Sequence, residues 1–157
     1  MDSSWPELAG EEDRSFLLSY MRDRFGMPPE LFDGFILFKK KKSFWFMKNS
    51  GLISSVSHLK VKEPGIKAFQ EVGSFMKPTT RMIQYFGSRA TKAVLNLDNI
   101  QLKALLNGEY LTVDMGLENG YVILSYNEQV LGLGLLIDGK VRSQLPAKDV
   151  RYLEIED

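Results

Sequence analysis

Apolar residues along the first part of the chain recur at helical spacing and then give way to short continuous runs. Phe16, Leu17, Tyr20, Met21 and Phe25 fall at i, i+1, i+4, i+5 and i+9, which is one side of a helix. Ahead of them, Ser4-Trp5-Pro6-Glu7 has the spacing of a capping box, with proline tolerated in a first turn. Gly26 and Pro28-Pro29 predict the stop, and a short helical turn is expected through Glu30-Leu31-Phe32. Phe35-Ile36-Leu37-Phe38 and Phe44-Trp45-Phe46-Met47 then predict the two strands of a hairpin. Lys39, Lys40, Lys41 and Lys42 would form its tip, because four like charges repel and belong in water. Further on, the pattern predicts a helix near Leu52 to Leu59 and strands near Ile66 to Phe69 and Val72 to Phe75. Lys77-Pro78-Thr79-Thr80 predicts another helix start, with Met82, Ile83, Tyr85 and Phe86 as its apolar side before Gly87.

Past residue 92 the period shortens. Ala93 to Leu97 is a strand; Asp98 or Asn99 caps a helix holding Ile100, Leu102, Leu105 and Leu106, closed by Asn107-Gly108. Leu111 to Val113, Tyr121 to Tyr126, Val130 to Ile137 and Lys140 to Leu145 read as strands, with turns at Asn127-Glu128 and Asp138-Gly139. The Asp-Gly pair between apolar runs is the strongest hairpin signal in the chain. Val150, Tyr152 and Ile155 suggest a last strand. Many short strands with one early helix predict a small, mostly antiparallel barrel. The fold class expected is therefore α+β, an N-terminal α/β domain over residues 1–91 followed by a β pseudobarrel over 92–157.

Composition adds exclusions. In 157 residues there is no cysteine, which removes disulfides, thiolate catalysis and cysteine-bound zinc. The single histidine, His58, removes sites that need two. No apolar run approaches the roughly 20 residues of a spanning helix, and the acidic start Met1-Asp2-Ser3-Ser4 lacks the pattern of a signal peptide. The expectation is a soluble, cytoplasmic protein without a membrane partner.

Charge changes the picture more. The 20 basic and 20 acidic residues cancel, yet they are segregated. Residues 1–34 hold eight acids against three bases, residues 35–92 hold twelve bases against two acids, and residues 93–157 hold ten acids against five bases. A basic middle stretch creates a local field that a polyanion senses whatever the net charge.

The C-terminal stretch resembles the PUA domain, the small RNA-binding pseudobarrel of pseudouridine synthases and archaeosine transglycosylases. The likeness rests on Val94-Leu95-Asn96-Leu97 through Leu105-Leu106-Asn107-Gly108-Glu109, then Gly120 to Leu124, Val130-Leu131-Gly132-Leu133-Gly134 and Asp138-Gly139-Lys140-Val141. It is greatest to the PUA units of small ribosome-biogenesis factors and of the tail of cytosine-5 rRNA methyltransferases. Upstream, the aromatic hairpin and Gly73-Ser74-Phe75-Met76-Lys77 before Ala90-Thr91-Lys92 are similar to the pre-PUA domain of those biogenesis factors. The resemblance implies RNA binding, with rRNA the leading RNA, in ribosome biogenesis or RNA modification. It implies no catalytic centre, no cofactor and no metal, and it admits ribosome-assembly or RNA-modification proteins as further partners.

Candidate chemistry agrees. No P-loop spacing is present, and Gly132-x-Gly134 lies inside a strand, where close backbone approach explains it. Glu11-Glu12-Asp13 occupy consecutive helix positions that diverge, as a solvated helix start. Ser54, Ser55 and Ser57 have no base assignable to them. RNA contact needs cations for phosphates and flat or polar groups for bases. Lys77, Arg81, Arg89 and Lys92 lie on or beside the helix before the barrel, and Lys140, Arg142, Lys148 and Arg151 crowd its last stretch. Lys140 and Arg142, two apart on a strand, would share a face with Val141 turned inward. By position, the resemblance gives Arg142, Lys148 and Arg151 the RNA-contacting role. The Lys39 to Lys42 tip is a secondary basic contact. Phe44, Trp45 and Phe46 fit either a base-stacking platform or core on alternating faces, and core is the reading preferred. The rival function is a protein-interaction adaptor whose basic hairpin or N-terminal domain binds an acidic partner.

Overall fold

A computed structural model describes residues 7–48, 65–73 and 75–146. Within them the chain divides into two compact units, Met1–Met82 and Ile83–Asp157; the composition shift had suggested a boundary after residue 91. The architecture is α+β, with a five-stranded sheet in each unit.

The first unit opens with β1 (Glu7–Leu8) and α1 (Glu11–Phe25). Glu7 is therefore in a strand paired with β2 (Phe35–Lys40), and the helix starts at Glu11 behind Gly10, so the capping-box reading of Ser4 to Glu7 is corrected. Ser4 to Pro6 lie outside the described residues. The first turn carries Glu11, Glu12 and Asp13, where carboxylates oppose the unpaired backbone N–H groups. Gly26 takes the left-handed conformation, φ 68°, and its N–H closes the helix on the Arg22 carbonyl. The buried face is Leu17, Leu18, Met21 and Phe25. Phe16, expected on that face, is 65% exposed, because tertiary packing turned the stripe by one residue.

After a 3₁₀ turn (Pro29–Phe32), β2 pairs with β3 (Ser43–Lys48) as the predicted hairpin. The tip is narrower than predicted: Lys39 and Lys40 are paired in β2, leaving Lys41 and Lys42 in the turn. Arg14 ties α1 to this region by donating to the carbonyls of Phe32 at 2.9 Å and Phe35 at 3.0 Å. Phe46 is the hub of the core, stacked on Phe32 at 5.4 Å between ring centroids and edge-on to Phe35 and Phe69.

Two expected short strands prove to be one longer strand and a partner. β4 (Ile66–Val72) runs past Phe69 to the turn at Gly73, and β5 (Phe75–Pro78) returns against it. The register of β4 slips between Phe44 and Trp45, so Phe44 faces Phe69 while Trp45 faces Lys67, and both Ala68 and Phe69 are buried. Thr79 Oγ1 accepts the Met82 N–H and starts α2 (Thr80–Phe86). Tyr85, predicted on its apolar side, is 57% exposed. The predicted helix near Leu52 to Leu59 and His58 lie outside the described residues.

The second unit contains β6 (Val94–Leu97), α3 (Asn99–Leu106), β7 (Leu111–Thr112), β8 (Gly120–Tyr126), β9 (Gln129–Ile137) and β10 (Lys140–Ser143). Asp98 and Gln101 form a reciprocal capping box. The sheet order is β6-β8-β9-β10-β7, antiparallel except for the parallel β6–β8 pair, and it curls as a half-barrel of the PUA type. Both hairpin turns have positive φ at their two central residues, Asn127-Glu128 and Asp138-Gly139, matching the right-handed strand twist. Leu102, Leu105, Val122, Leu124, Leu136 and Val141 are buried in its core. Gly134 lets β9 approach β10: a Cβ there would lie 3.1 Å from the Arg142 carbonyl oxygen. The predicted strand through Val150, Tyr152 and Ile155 lies outside the described residues.

Candidate nucleic-acid interface

β10 is a short strand with one buried residue, Val141, between two exposed cations, Lys140 and Arg142. Alternation puts both charged side chains on the outward face. Across the ladder Lys140 pairs with Ile137 and Arg142 with Leu135, so an apolar strip of β9 lies beside them. Together with Asp138 these four residues line an open cleft of about 470 Å³. Asp138 accepts from the Asn119 side chain and donates its N–H to the same side chain, which pins the hairpin next to the cations.

Tyr110 completes the site. The pairing of Val141 with Leu111 carries Tyr110 to the place beside Arg142. Its ring lies 4.7 Å from Lys140 Nζ and 5.7 Å from the Arg142 guanidinium carbon, and it is 46% exposed. The negative ring face attracts both cations and offsets the repulsion between them. Tyr121, paired with Leu135 across β8 and β9, has its hydroxyl pKa raised by desolvation, in keeping with the apolar strip. The sequence reading missed Tyr110: the β7–β10 pairing joins residues far apart in the chain, and only the register of Leu111 against Val141 reveals it.

The other candidates are distributed. Arg89 is exposed in a 3₁₀ turn and Lys92 in the loop before β6, both in this unit. Lys77 lies in β5 and Arg81 on α2, both in the first unit, so the four do not share one helix. Lys148 and Arg151 lie outside the described residues. On the first sheet Lys39 stands 5.6 Å above the Phe44 ring, while Lys41 and Lys42 remain in the turn. Phe44 and Phe46 are core, and Trp45 is half-buried on the opposite face, as alternation required. Among the described residues no group of His, Asp or Glu is arranged to hold a metal, and no helix is long and apolar enough to cross a membrane.

Residues 92–151 match the family described as the Methyltransferase RsmF PUA domain. A curated relative, the ribosomal RNA small subunit methyltransferase F of Psychromonas ingrahamii, is 26% identical over 121 residues, covering 74% of this chain. The chain spans about a quarter of that relative's length, 25%. The C-terminal part is thus similar to the PUA tail of rRNA methyltransferases, the likeness its sequence pattern implied.

Proposed function

We propose that this chain binds RNA through its C-terminal unit and serves small-subunit rRNA modification or assembly by docking rather than by chemistry of its own. The observation that carries the reading is the pair Lys140 and Arg142, held side by side over the Tyr110 ring and next to the apolar Leu135 and Ile137 of β9. Two cations organised before binding lose less freedom when a phosphate arrives. The apolar strip of Leu135 and Ile137 beside them offers a surface for an unstacked base. Arg89 and Lys92, exposed in the same unit, extend the supply of phosphate contacts. The likeness to an rRNA methyltransferase supports rRNA as the polyanion.

Fluorescence anisotropy of labelled small-subunit rRNA fragments with the whole chain tests this. With about four to six phosphate contacts to a single strand, log K should fall against log salt with a slope of roughly −3 to −4. The double variant Lys140→Glu, Arg142→Glu should abolish binding at moderate salt. Salt-independent association, or full binding by the double variant, refutes it.

A further inference from the structure

The cleft on the C-terminal unit holds one group that a phosphate site does not need. Asp138 lines it together with Leu135, Ile137, Lys140 and Arg142, and a carboxylate beside those cations repels the polyanion they attract. The hairpin turn does not call for the charge, because at φ 50° asparagine serves such a turn as well as aspartate does. Nor do the neighbouring cations neutralise it. Among the described residues Lys140 and Arg142 make their contact with the Tyr110 ring and form no ion pair with Asp138. Asp138 is oriented by Asn119, whose side chain donates to Oδ1 at 3.3 Å and accepts the Asp138 N–H at 2.9 Å. A carboxylate has about four lone-pair sites, so one such contact leaves acceptor capacity on both oxygens.

Resting on the RNA reading above, we propose that Asp138 makes this cleft selective for an unpaired guanine. An ionised carboxylate only accepts hydrogen bonds, so it selects a ligand edge made of donors. On guanine the N1–H and the N2 amino group stand side by side and fit the two oxygens of one carboxylate. Adenine and cytosine set a ring-nitrogen acceptor next to their amino group, and uracil flanks its N3–H with two carbonyls. Each of those would turn a lone pair toward Asp138. The guanine edge is open to a side chain when the base is unpaired. The base would lie against Leu135 and Ile137, the latter 49% exposed, with its edge at the turn. Asp138, Lys140 and Arg142 are alternate residues from that turn into β10, so flanking phosphates meet the cations farther along the strand.

Anisotropy titrations of the whole chain with oligouridines of about nine nucleotides, carrying guanosine, inosine or adenosine at the centre, test this. Inosine differs from guanosine by the missing N2 amino group. The guanosine oligomer should bind about tenfold tighter than the inosine one, the effect of one lost hydrogen bond to a charged group. Adenosine should do no better than inosine. Asp138→Asn keeps an acceptor for Asn119 and suits the turn; it should shrink the guanosine-to-inosine ratio to about twofold. The same variant should bind plain oligouridine about twofold tighter, having lost a negative charge beside the phosphates. Equal affinity for guanosine and inosine, with salt-dependent binding of every oligomer, overturns the selectivity and leaves RNA docking standing. A guanosine preference kept in full by Asp138→Asn overturns the role of Asp138. Binding of none of the oligomers overturns both this proposal and the RNA reading beneath it.

Discussion

Gly134 occupies the middle of β9, paired with Val122 on one side and Ser143 on the other, and alanine there would strain the strand that presents the cations. The added Cβ would lie 2.9 Å from Val141 Cγ1, 3.1 Å from the Arg142 carbonyl oxygen and 3.1 Å from Leu124 Cδ2. Val141 has no room to turn away, being fully buried, and the carbonyl is backbone. Overpacking of this kind costs about 1–3 kcal/mol. For a unit of this size each kcal/mol lowers the midpoint by roughly 4–8 °C, so a loss of about 2 kcal/mol corresponds to roughly 8–16 °C. Calorimetry of Gly134→Ala against the parent chain measures this. Gly34→Ala is the control, because no atom lies within 4 Å of that Cβ and its φ is not positive. Because the strain falls on the Arg142 carbonyl, rRNA affinity should also drop at a temperature where the variant is still folded. A midpoint within about 2 °C of the parent would refute the claim that close β9–β10 approach requires glycine.

Three further outcomes follow from single features. Tyr110→Leu keeps both cations and removes the ring beneath them, so rRNA affinity should fall by a few-fold, about 0.5–1 kcal/mol, while the salt slope measured by anisotropy stays unchanged. Asp98→Ala removes the acceptor for the Gln101 N–H, 2.7 Å away, and should lower stability in urea titrations by about 1 kcal/mol. Burial raises the Tyr121 pKa, so the folded state keeps its proton where the unfolded chain loses it. Stability tied to this group is then fully present below the unfolded value near 10 and is lost as pH rises from there toward the folded value. Denaturation across that window checks the sign, and Tyr121→Phe should flatten the dependence.

Local chemistry was legible in the sequence wherever neighbours along the chain decide the outcome. A cap at Asp98 or Asn99, of which the structure uses Asp98, Gly26 after the helix, the Asn127-Glu128 and Asp138-Gly139 turns and the inward Val141 between two outward cations all depend on short-range geometry. Tertiary structure decided the rest. It placed Glu7 in a strand because β2 offered it a partner, left Phe16 and Tyr85 largely exposed, and drew Lys39 and Lys40 into a ladder. It also brought Tyr110 under Lys140 and Arg142 and aligned Phe38 with Trp45 and Lys67. Those juxtapositions come from strand pairing between distant segments, and a pattern of polar and apolar positions gives the face a residue occupies without naming the strand beside it.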